Sequence, residues 1–506
     1  MHGEMVRQLK TELDFLSSCA ADIQHVHGII SQTCECYLHP STINNLPSEI
    51  LIRIFHLLLP QGRAINSRYT PHKLSGYNYP DYLAQVCTRW RRIAISCPTL
   101  WTYIDFPMWK PLAPLLACAE TRTERSGKLP LTVDIDDSYN RTRTYFNKTY
   151  SEIWEPIADR VEALQLRVDL NDPVVHFCCS ALEQIVLSRS TGIFSKLIID
   201  TMSAGYIIPV EERDINLGYR WDTWRDLELE LLESQIETKF AGLTVLHLRG
   251  CFPALQSTAY HGLVDLRLYA PSDSWDVIDE PQFIAILQAS PNLQILHFAT
   301  GFTAGSDKVT PVSLNDLELV DISSVTMHGS ILFKLNEIIR LLAPASKPLR
   351  LRVEVNEKEG DVLGGIQDFF LRSKVESFCI SGLRPLSGQF LRACLTPYLR
   401  VLVFDQCNPS ISDLTRTISS DHFSSALAPS LDYWYLKAVT IPGDDLRFIA
   451  NLFPNRIYID PSCVVNDLKE TSGVLCKSEI NVEFPSVGEI AEDFVANLTA
   501  AWNTLH

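Results

Sequence analysis

The sequence predicts a mixed α/β chain, α+β overall, in which a helical N-terminal part precedes a long region of repeated short strands. Two observations predict the helices: apolar residues recur at steps of three and four along residues 5–31, and again within 45–106. That spacing places them on one face of a helix. A third predicts the strands: from residue 161 onward, the pattern Leu-x-x-Leu-x-Leu recurs, and its alternation is typical of short strands with one buried face.

Length and composition bound the possible classes of protein. At 506 residues the chain is too long for one ordinary core, so we expect two or more folded units. No apolar run reaches the roughly 18–20 residues that a membrane span requires, and the first residues lack a signal-peptide pattern. We therefore expect an intracellular protein, in cytoplasm or nucleus, without a membrane partner. A formal charge of −16 argues against a nucleic-acid partner.

Residues 1–40 are predicted to form an N-terminal helix. The apolar positions follow a heptad pattern without a break, at Val6, Leu9, Leu13, Leu16, Ala20, Ile23, His27 and Ile30. Such a pattern is typical of a coiled coil, and self-association through residues 5–31 would use it. A single helix packed on the body of the same chain would show the same pattern, so both interpretations stay open.

Residues 41–106 are predicted to hold two or three short helices. Pro47 and Glu49 suit a first helical turn, because proline lacks the unsatisfied N–H and the carboxylate favours the helix dipole. The first apolar stripe then consists of Ile50, Leu51, Ile54, Phe55 and Leu58. The second consists of Leu83, Val86, Cys87, Trp90, Ile93 and Ala94. Helices this short cannot bury so many apolar groups among themselves, so we expect another surface to cover part of them.

The residue pattern of this segment resembles the F-box, in particular the F-box proteins abundant in mushroom-forming fungi. The resemblance is carried by Leu-Pro-x-Glu-Ile-Leu-x-x-Ile-Phe from Leu46, then Leu-x-x-Val-Cys-x-x-Trp-Arg-x-Ile-Ala from Leu83, then Pro-x-Leu-Trp from Pro98. It implies docking on the Skp-type adaptor of a cullin–RING ubiquitin ligase. The implied adaptor-binding residues are Leu46, Pro47, Ile50, Ile54, Phe55, Val86, Cys87, Trp90 and Ile93.

Two features of this segment depart from the pattern or invite another interpretation. The connection at about 61–80 is longer than usual and rich in Gly, Pro, Asn, Ser and Tyr, so we predict an inserted surface loop. Arg89, Arg91 and Arg92 form a basic cluster, which we interpret as the solvated face of the helix that buries Trp90 and Ile93.

Residues 107–160 are predicted to be a transitional segment, with one strand at 129–135. The region 161–465 follows, in which several copies of the repeat lie about 20 to 32 residues apart. Copies begin at Val161, Phe194, Leu243, Leu263, Leu293, Leu314, Val375, Leu399 and Leu431. This looks like an irregular leucine-rich-repeat solenoid, with one degenerate copy in the long gap before Leu243, and residues 466–506 would cap it. A plain α/β domain with leucine-rich strands is the alternative.

If the repeat prediction is right, alternate strand residues point away from the core and form a partner surface. Its mixture of aromatic and charged side chains is typical of a surface that anchors a protein. We predict that a target protein contacts His247, Arg249, Arg267, Tyr269, His297, Glu318, Asp405, Tyr433 and Tyr435.

The sequence shows no pattern of catalytic, metal-binding or cofactor-binding residues, so we expect none of these sites. His25, His27, Cys34, Cys36 and His39 come closest to a metal cluster, but Cys34 and Cys36 are separated by one residue, not two to four. The 14 cysteines are scattered and are expected to be reduced, buried apolar groups.

The resemblance therefore implies a non-catalytic substrate-recognition subunit of a Skp–cullin–F-box ligase, involved in ubiquitin-dependent protein degradation. Its partners would be the Skp-type adaptor, the cullin core and an unidentified protein substrate. An alternative is an adaptor-bound scaffold that never joins a ligase. A more distant alternative is a hydrolase, which would require His, Asp and Ser or Cys side chains to converge in a cleft.

Overall fold

A computed structural model gives the fold of most of the region between residues 46 and 407. The ranges it describes are 46–58, 80–137, 150–168, 174–190, 192–212, 226–270, 277–305, 309–323, 326–327, 330–331, 334–354, 359–382, 393–407, 432–437, 439–442, 457–459, 464–466 and 482–483, with single residues 10, 24, 43 and 390. Two compact units divide the chain. The helical unit comprises residues 1–63 and 71–101, and the sheet unit comprises 64–70 and 102–506.

The helical unit contains short helices where the apolar spacing predicted them, but the stripe from Leu83 to Ala94 is divided between two helices at Cys87. The short helices are α1 (Ser48–Leu57), α2 (Asp81–Val86) and α3 (Thr88–Ile95), followed by a 3₁₀ helix (Pro98–Trp101). Pro47 precedes α1 and Glu49 lies in its first turn, as predicted. The core consists of Leu51, Phe55, Leu83, Ile93, Ala94, Cys97, Leu100 and Trp101. The buried indole N–H of Trp101 has a hydrogen-bond partner, because Nε1 donates to the Ala94 carbonyl at 2.8 Å.

The sheet unit is built on one large parallel sheet of 15 strands, so the chain is an α/β protein. Fourteen strands follow one another in chain order along the sheet, and every pairing among them is parallel. They are β1 (Tyr103–Pro107), β2 (Leu131–Asp136), β3 (Val161–Val168), β4 (Lys196–Pro209), β6 (Val245–Phe252), β7 (Asp265–Tyr269), β9 (Ile295–Ala299), β12 (Leu319–Ser323), β16 (Leu349–Glu354), β17 (Val375–Ser381), β18 (Val401–Asp405), β19 (Tyr433–Lys437), β21 (Ile457–Ile459) and β23 (Val482–Glu483). The fifteenth, β5 (Leu227–Leu229), pairs with the end of β4.

The connections between these strands contain helices and very short strands. The helices are α4 (Leu112–Arg125), α5 (Ser151–Ala158), α6 (Val174–Leu187), α7 (Glu233–Phe240), α8 (Glu280–Ala289), α9 (Leu335–Ile339) and α10 (Glu359–Arg372). Four small two-stranded sheets pair β8 (Val277–Asp279) with β10 (Gly301–Thr303), β11 (Val312–Leu314) with β15 (Leu342–Pro344), β13 (Thr326–Met327) with β14 (Ser330–Ile331), and β20 (Thr440–Pro442) with β22 (Val464–Asn466).

One face of the large sheet forms the main core. Alternate strand residues such as Leu246, Leu266 and Leu296 are fully buried there, and every helix from α4 to α10 contributes buried side chains to the same cluster. The opposite face, here called the polar face, carries the other set of alternate residues, many of them charged. A parallel sheet covered on one face by helices would explain this difference between its two sides.

The structure corrects several boundaries that the sequence suggested. The segment 107–160 is not transitional, because β1, α4, β2 and α5 belong to the sheet unit. The strand predicted at 129–135 is confirmed as β2. Strands β4 and β6 pair directly, and the short strand β5 that lies between them in the chain pairs with the end of β4. Much of the stretch for which a degenerate copy was predicted, residues 213–225, lies outside the described residues. A strand that the repeat pattern missed is β16, where Leu349, Leu351 and Val353 face the core.

The copy predicted at Leu314, Leu317 and Leu319 is displaced by three residues, because Val320 and Ile322 pair with Leu296 and Phe298 of the preceding copy. Three is an odd number, so the predicted residue Leu319 falls on the other face of the strand. Val320 and Ile322 face the main core, whereas Leu319 belongs to a cluster on the polar face. A one-residue change of register moves every side chain of a strand to the other face. Glu318 consequently precedes β12 and does not lie on its outward row.

Several predictions fall outside the described residues. These are the heptad helix, of which only residues 10 and 24 are described, the inserted loop at 61–79, the histidine and cysteine cluster at 25–39, and the cap proposed for 466–506 apart from 482–483.

Candidate functional site

Helix α1 has apolar side chains on two adjoining faces, and its own unit covers only one of them. Leu51 and Phe55 point into the core of the helical unit. At 100° per residue, Ile50, Ile54 and Leu57 occupy the neighbouring sector of the helix surface. Ile50 and Leu57 are 48% and 62% exposed, and Ile54 is half-buried. The helix therefore presents an outward aliphatic stripe, here called the α1 stripe: Ile50, Ile54 and Leu57.

Helices α2 and α3 are joined by a single residue, Cys87, whose extended backbone ends one helix and begins the next. Its Sγ accepts a hydrogen bond from the backbone N–H of Trp90 at 3.4 Å, so the thiol caps α3. Val86, just before it, is 60% exposed. The Trp90 ring is half-buried and lies 4.9 Å from the Phe55 ring, measured between centroids.

The predicted adaptor-binding residues separate into two groups. Pro47, Ile50 and Val86 are exposed, and Leu46, Ile54, Cys87 and Trp90 are half-buried, so these seven side chains offer at least part of their surface to a partner. Phe55 and Ile93 do not, because both are buried in the core of the helical unit. The prediction that these two contact the adaptor directly is corrected: their size and position make them the hydrophobic support of the surface.

The predicted adaptor-binding set left out five exposed apolar residues of this unit: Leu57, Leu58, Ile43, Tyr82 and Ile95. The signal for the first two was present, because the apolar sector of α1 is wider than the face that its own core covers. Seven of the twelve exposed large apolar side chains in the described part of the chain lie in the helical unit. The uncovered apolar surface is therefore concentrated there.

On the polar face of the sheet, residues of successive strands lie side by side in one row. The row contains Asp134, Gln165, Ile198, His247, Arg267, His297, Asp321, Arg352, Cys379, Val403 and Tyr435. Most of these residues are buried. Charged groups are tolerated under burial only when they are paired and hydrogen-bonded.

The best-defined pairing joins two residues of this row, His247 on β6 and Arg267 on β7, to Asp265 in the neighbouring row. Asp265 accepts two hydrogen bonds from Arg267, from Nε at 2.9 Å and from Nη2 at 2.8 Å. His247 Nε2 lies 3.0 Å from the same carboxylate. Although burial opposes the charge on Asp265, these partners hold its pKa well below the usual value. Arg249, in the adjacent row, pairs with Asp200 at 3.1 Å and lies over the Tyr269 ring.

A second cluster surrounds His297 on β9. The Tyr269 hydroxyl lies 2.7 Å from His297 Nδ1, and Asp321 lies 3.8 Å from the same nitrogen. Burial, with a smaller contribution from Arg267, holds the pKa of His297 well below its ordinary value. Burial also raises the pKa of Asp321, against the effect of Arg352. The imidazole is therefore neutral at pH 7.

The predicted target-binding residues are placed as follows. His247, Arg249, Arg267, Tyr269, His297 and Tyr435 are buried on the polar face. Asp405 is partly exposed and pairs with Lys437 at 3.0 Å, and Glu318 is partly exposed beside Lys347. The side chain of Tyr433 is outside the described residues. Direct contact with a target is open to Glu318 and Asp405 in this arrangement, while the six buried residues hold the strands together.

The chemistry of the polar face is that of ion pairs and hydrogen bonds. Cys379 is the cysteine in the row. Burial raises the pKa of its thiol to about 12, so the thiolate form is disfavoured at neutral pH. Within the ranges that the structure describes, no group of three or more His, Cys, Asp or Glu side chains could hold a metal ion. In the same ranges, no helix has the length and apolar character needed to cross a membrane.

Comparison with known proteins adds no assignment. No family model matches the chain, and no curated protein matches it.

Proposed function

We propose that the chain is the substrate-recognition subunit of a Skp–cullin–F-box ubiquitin ligase, acting inside the cell and performing no catalysis itself. The observation that carries the proposal is the concentration of uncovered apolar side chains on the helical unit. Covering one such side chain contributes roughly 1.5–3 kcal/mol, so a surface of this kind favours a bound partner. Of the residues that the F-box resemblance assigns to the adaptor, Pro47, Ile50 and Val86 are exposed and Leu46, Ile54, Cys87 and Trp90 are half-buried, and exposed Leu57 lies beside them on α1.

The geometry of α1 supports docking of a separate subunit. Phe55 and Leu51 anchor the helix to α3 and the 3₁₀ helix, so the α1 stripe is held on a packed support. A rigid apolar helix face that fits into a groove of another protein is a common mode of recognition. Half-buried Trp90 beside Phe55 would contribute to the same contact.

For the sheet unit, we propose a leucine-rich-repeat-like array that binds the protein to be ubiquitylated. The order of the strands supports this proposal: they follow one another along the sheet in chain order, and each strand adds one residue to the row on the polar face. The ligase core would be recruited by the adaptor, and the receptor would act by raising the local concentration of the target. Target contact would involve partly exposed residues such as Glu318 and Asp405 with their cationic neighbours.

The adaptor contact is tested by mixing the purified full-length chain with a Skp-type adaptor and measuring affinity by calorimetry. Replacing Ile50 and Leu57 together by Asp should weaken binding at least about a hundredfold, since two central contacts are each worth about 2 kcal/mol. The matched control is Leu371→Asp on α10, where an equally apolar side chain is 78% exposed in the sheet unit. This control should bind like the wild type.

Failure of the wild-type chain to bind the adaptor would overturn the proposal, and so would equal losses in the double variant and the control. Recovery of a cullin with the adaptor-bound chain separates a ligase receptor from a scaffold that never joins a ligase.

A further inference from the structure

The outward side of α3 is basic. Thr88, Arg91, Arg92 and Ile95 are exposed, whereas Ile93 and Ala94 on the opposite side are buried. The Arg91 side chain is tied to α2, because its Nε donates a hydrogen bond to the Ala84 carbonyl at 2.7 Å. The two arginines therefore present cationic groups from a fixed helix surface.

Helix α1 carries a third exposed arginine of the helical unit, Arg53. Arg53 is exposed and lies three residues after Ile50 and four before Leu57, so it borders the α1 stripe. The ion pairs that the structure describes involve neither Arg53 nor Arg91 nor Arg92. Glu49, in the first turn of the same helix, is the exposed acidic residue in the described part of this unit.

The charge of this segment is opposite to that of the chain. The described residues 46–58 and 80–101 contain four arginines, Arg53, Arg89, Arg91 and Arg92, against two acids, Glu49 and Asp81, while the whole chain has a formal charge of −16. A local excess of one sign within a chain of the other sign indicates a surface adapted to a charged partner. Arginine at the edge of an apolar surface suits pairing with carboxylates.

We propose that the partner docking on the helical unit is acidic as well as apolar: a protein whose apolar groove is bordered by aspartate and glutamate. The inference rests on the proposed function and specifies the chemistry of the adaptor surface. The α1 stripe would control how long the complex lasts, and Arg53, Arg91 and Arg92 would speed its formation. Border charges act mainly on the association rate and on its dependence on salt.

The test measures association rates by stopped flow between the full-length chain and the Skp-type adaptor, from about 50 mM to about 0.5 M salt. Replacing Arg91 and Arg92 together by Glu should lower the association rate roughly tenfold or more at low salt, with convergence on the wild type at high salt. Arg53→Glu, measured separately, should act in the same direction. Circular dichroism and the high-salt rate establish that each variant is folded.

The matched control makes the same change of charge on the other unit, by replacing the exposed Lys128 and Arg189 with Glu. It should leave the association rate within about twofold of the wild type. If the adaptor binds and neither salt nor the Arg91 and Arg92 replacements alter the association rate, the inference is overturned. The proposed function would still stand. Absence of any wild-type binding would overturn both.

A second copy of this acidic chain is the competing occupant of the surface. Sedimentation of the full-length chain without adaptor tests it. Self-association that the Arg91 and Arg92 replacements abolish, together with unchanged adaptor rates, would assign the basic surface to another copy and overturn the inference.

Discussion

The Phe55 ring packs against the Trp90 ring at a centroid distance of 4.9 Å, with the two planes inclined at 57°. Phe55 is fully buried and Trp90 is half-buried, so the pair connects the core of the helical unit to its surface. Such aromatic pairs add about 0.5–1.5 kcal/mol beyond the area that they bury. The pair fixes α1 against α3 and thereby positions the α1 stripe.

Phe55→Ala is expected to destabilise the helical unit by about 3–5 kcal/mol, because it removes a buried ring and leaves a cavity under Trp90. The measurement is hydrogen exchange of the α1 and α3 amides, which reports on this unit within the full chain. Leu57→Ala is the control, since its side chain is 62% exposed and should cost less than about 1 kcal/mol. Equal protection in the two variants would contradict the assignment of Phe55 to the core.

Apolar spacing was sufficient to predict α1 and α3, but it could not assign the faces of α1. Ile50, Leu51, Ile54 and Phe55 all fit one stripe, and only the packed structure shows that Leu51 and Phe55 face inward. Periodicity gives the angle between side chains, whereas burial depends on which neighbours cover each angle. Phe55 was predicted to be a docking residue because the F-box resemblance assigns it to the adaptor, and the same resemblance does not include Leu57.

The strands were predictable where buried and polar residues alternate, as in β6 and β7, and less so where they do not. Around β12, Leu319 and Val320 are adjacent apolar residues, so both registers satisfy the pattern locally. Burial of the charged row could not be predicted, because most of its charges are compensated by residues of neighbouring strands. His247 and Arg267, for example, become neighbours only through strand pairing.

Gly250→Ala is expected to destabilise the sheet unit by more than about 2 kcal/mol. Gly250 has φ of +78°, and a Cβ at this position would lie 2.4 Å from Thr201 Oγ1 and 2.6 Å from the Ser203 carbonyl oxygen. The close approach arises where β4 bulges between Asp200 and Gly205. Both a strained backbone and an overlap with β4 therefore oppose alanine.

Gly262→Ala is the matched control for that experiment. Its φ is +69°, but a Cβ there would meet nothing within 4 Å, so only the backbone strain of about 1 kcal/mol remains. Urea unfolding of both variants measures the difference. Equal losses of unfolding free energy would show that the contact with Thr201 has no role.

Asp265→Asn is expected to lower the free energy of unfolding by about 3–5 kcal/mol, although the side chain keeps its shape. The replacement leaves the buried Arg267 without its carboxylate and removes the partner of His247. Denaturant unfolding measures the loss. Asp316→Asn is the control, because its pair with Lys347 is exposed on the surface and should contribute little to the free energy of unfolding. A loss of unfolding free energy for Asp265→Asn no larger than for this control would contradict the structural role of the cluster of Asp265, Arg267 and His247.

Stability is expected to fall in mild acid because of His297. Tyr269 and Arg267 from β7 and Asp321 from β12 face this imidazole, and burial holds its pKa well below 6.5. In the unfolded chain the same histidine binds a proton near pH 6.5. The stability that neutral His297 contributes to the folded chain is therefore fully present above about pH 6.5. It is lost as the pH falls from there toward the folded-state pKa, by up to about 1.4 kcal/mol per pH unit.

His297→Gln should remove this part of the pH dependence, because glutamine does not titrate. Urea unfolding at about pH 7.5 and pH 5.5 gives the change in unfolding free energy for each protein. The wild type should lose more stability between these two values than the variant does, and His261→Gln, at an exposed position, should behave like the wild type. Since the carboxylates of the row are the same in all three proteins, the difference between them isolates His297. An identical loss in the wild type and in His297→Gln would show that this imidazole takes up its proton as readily in the folded chain as in the unfolded one.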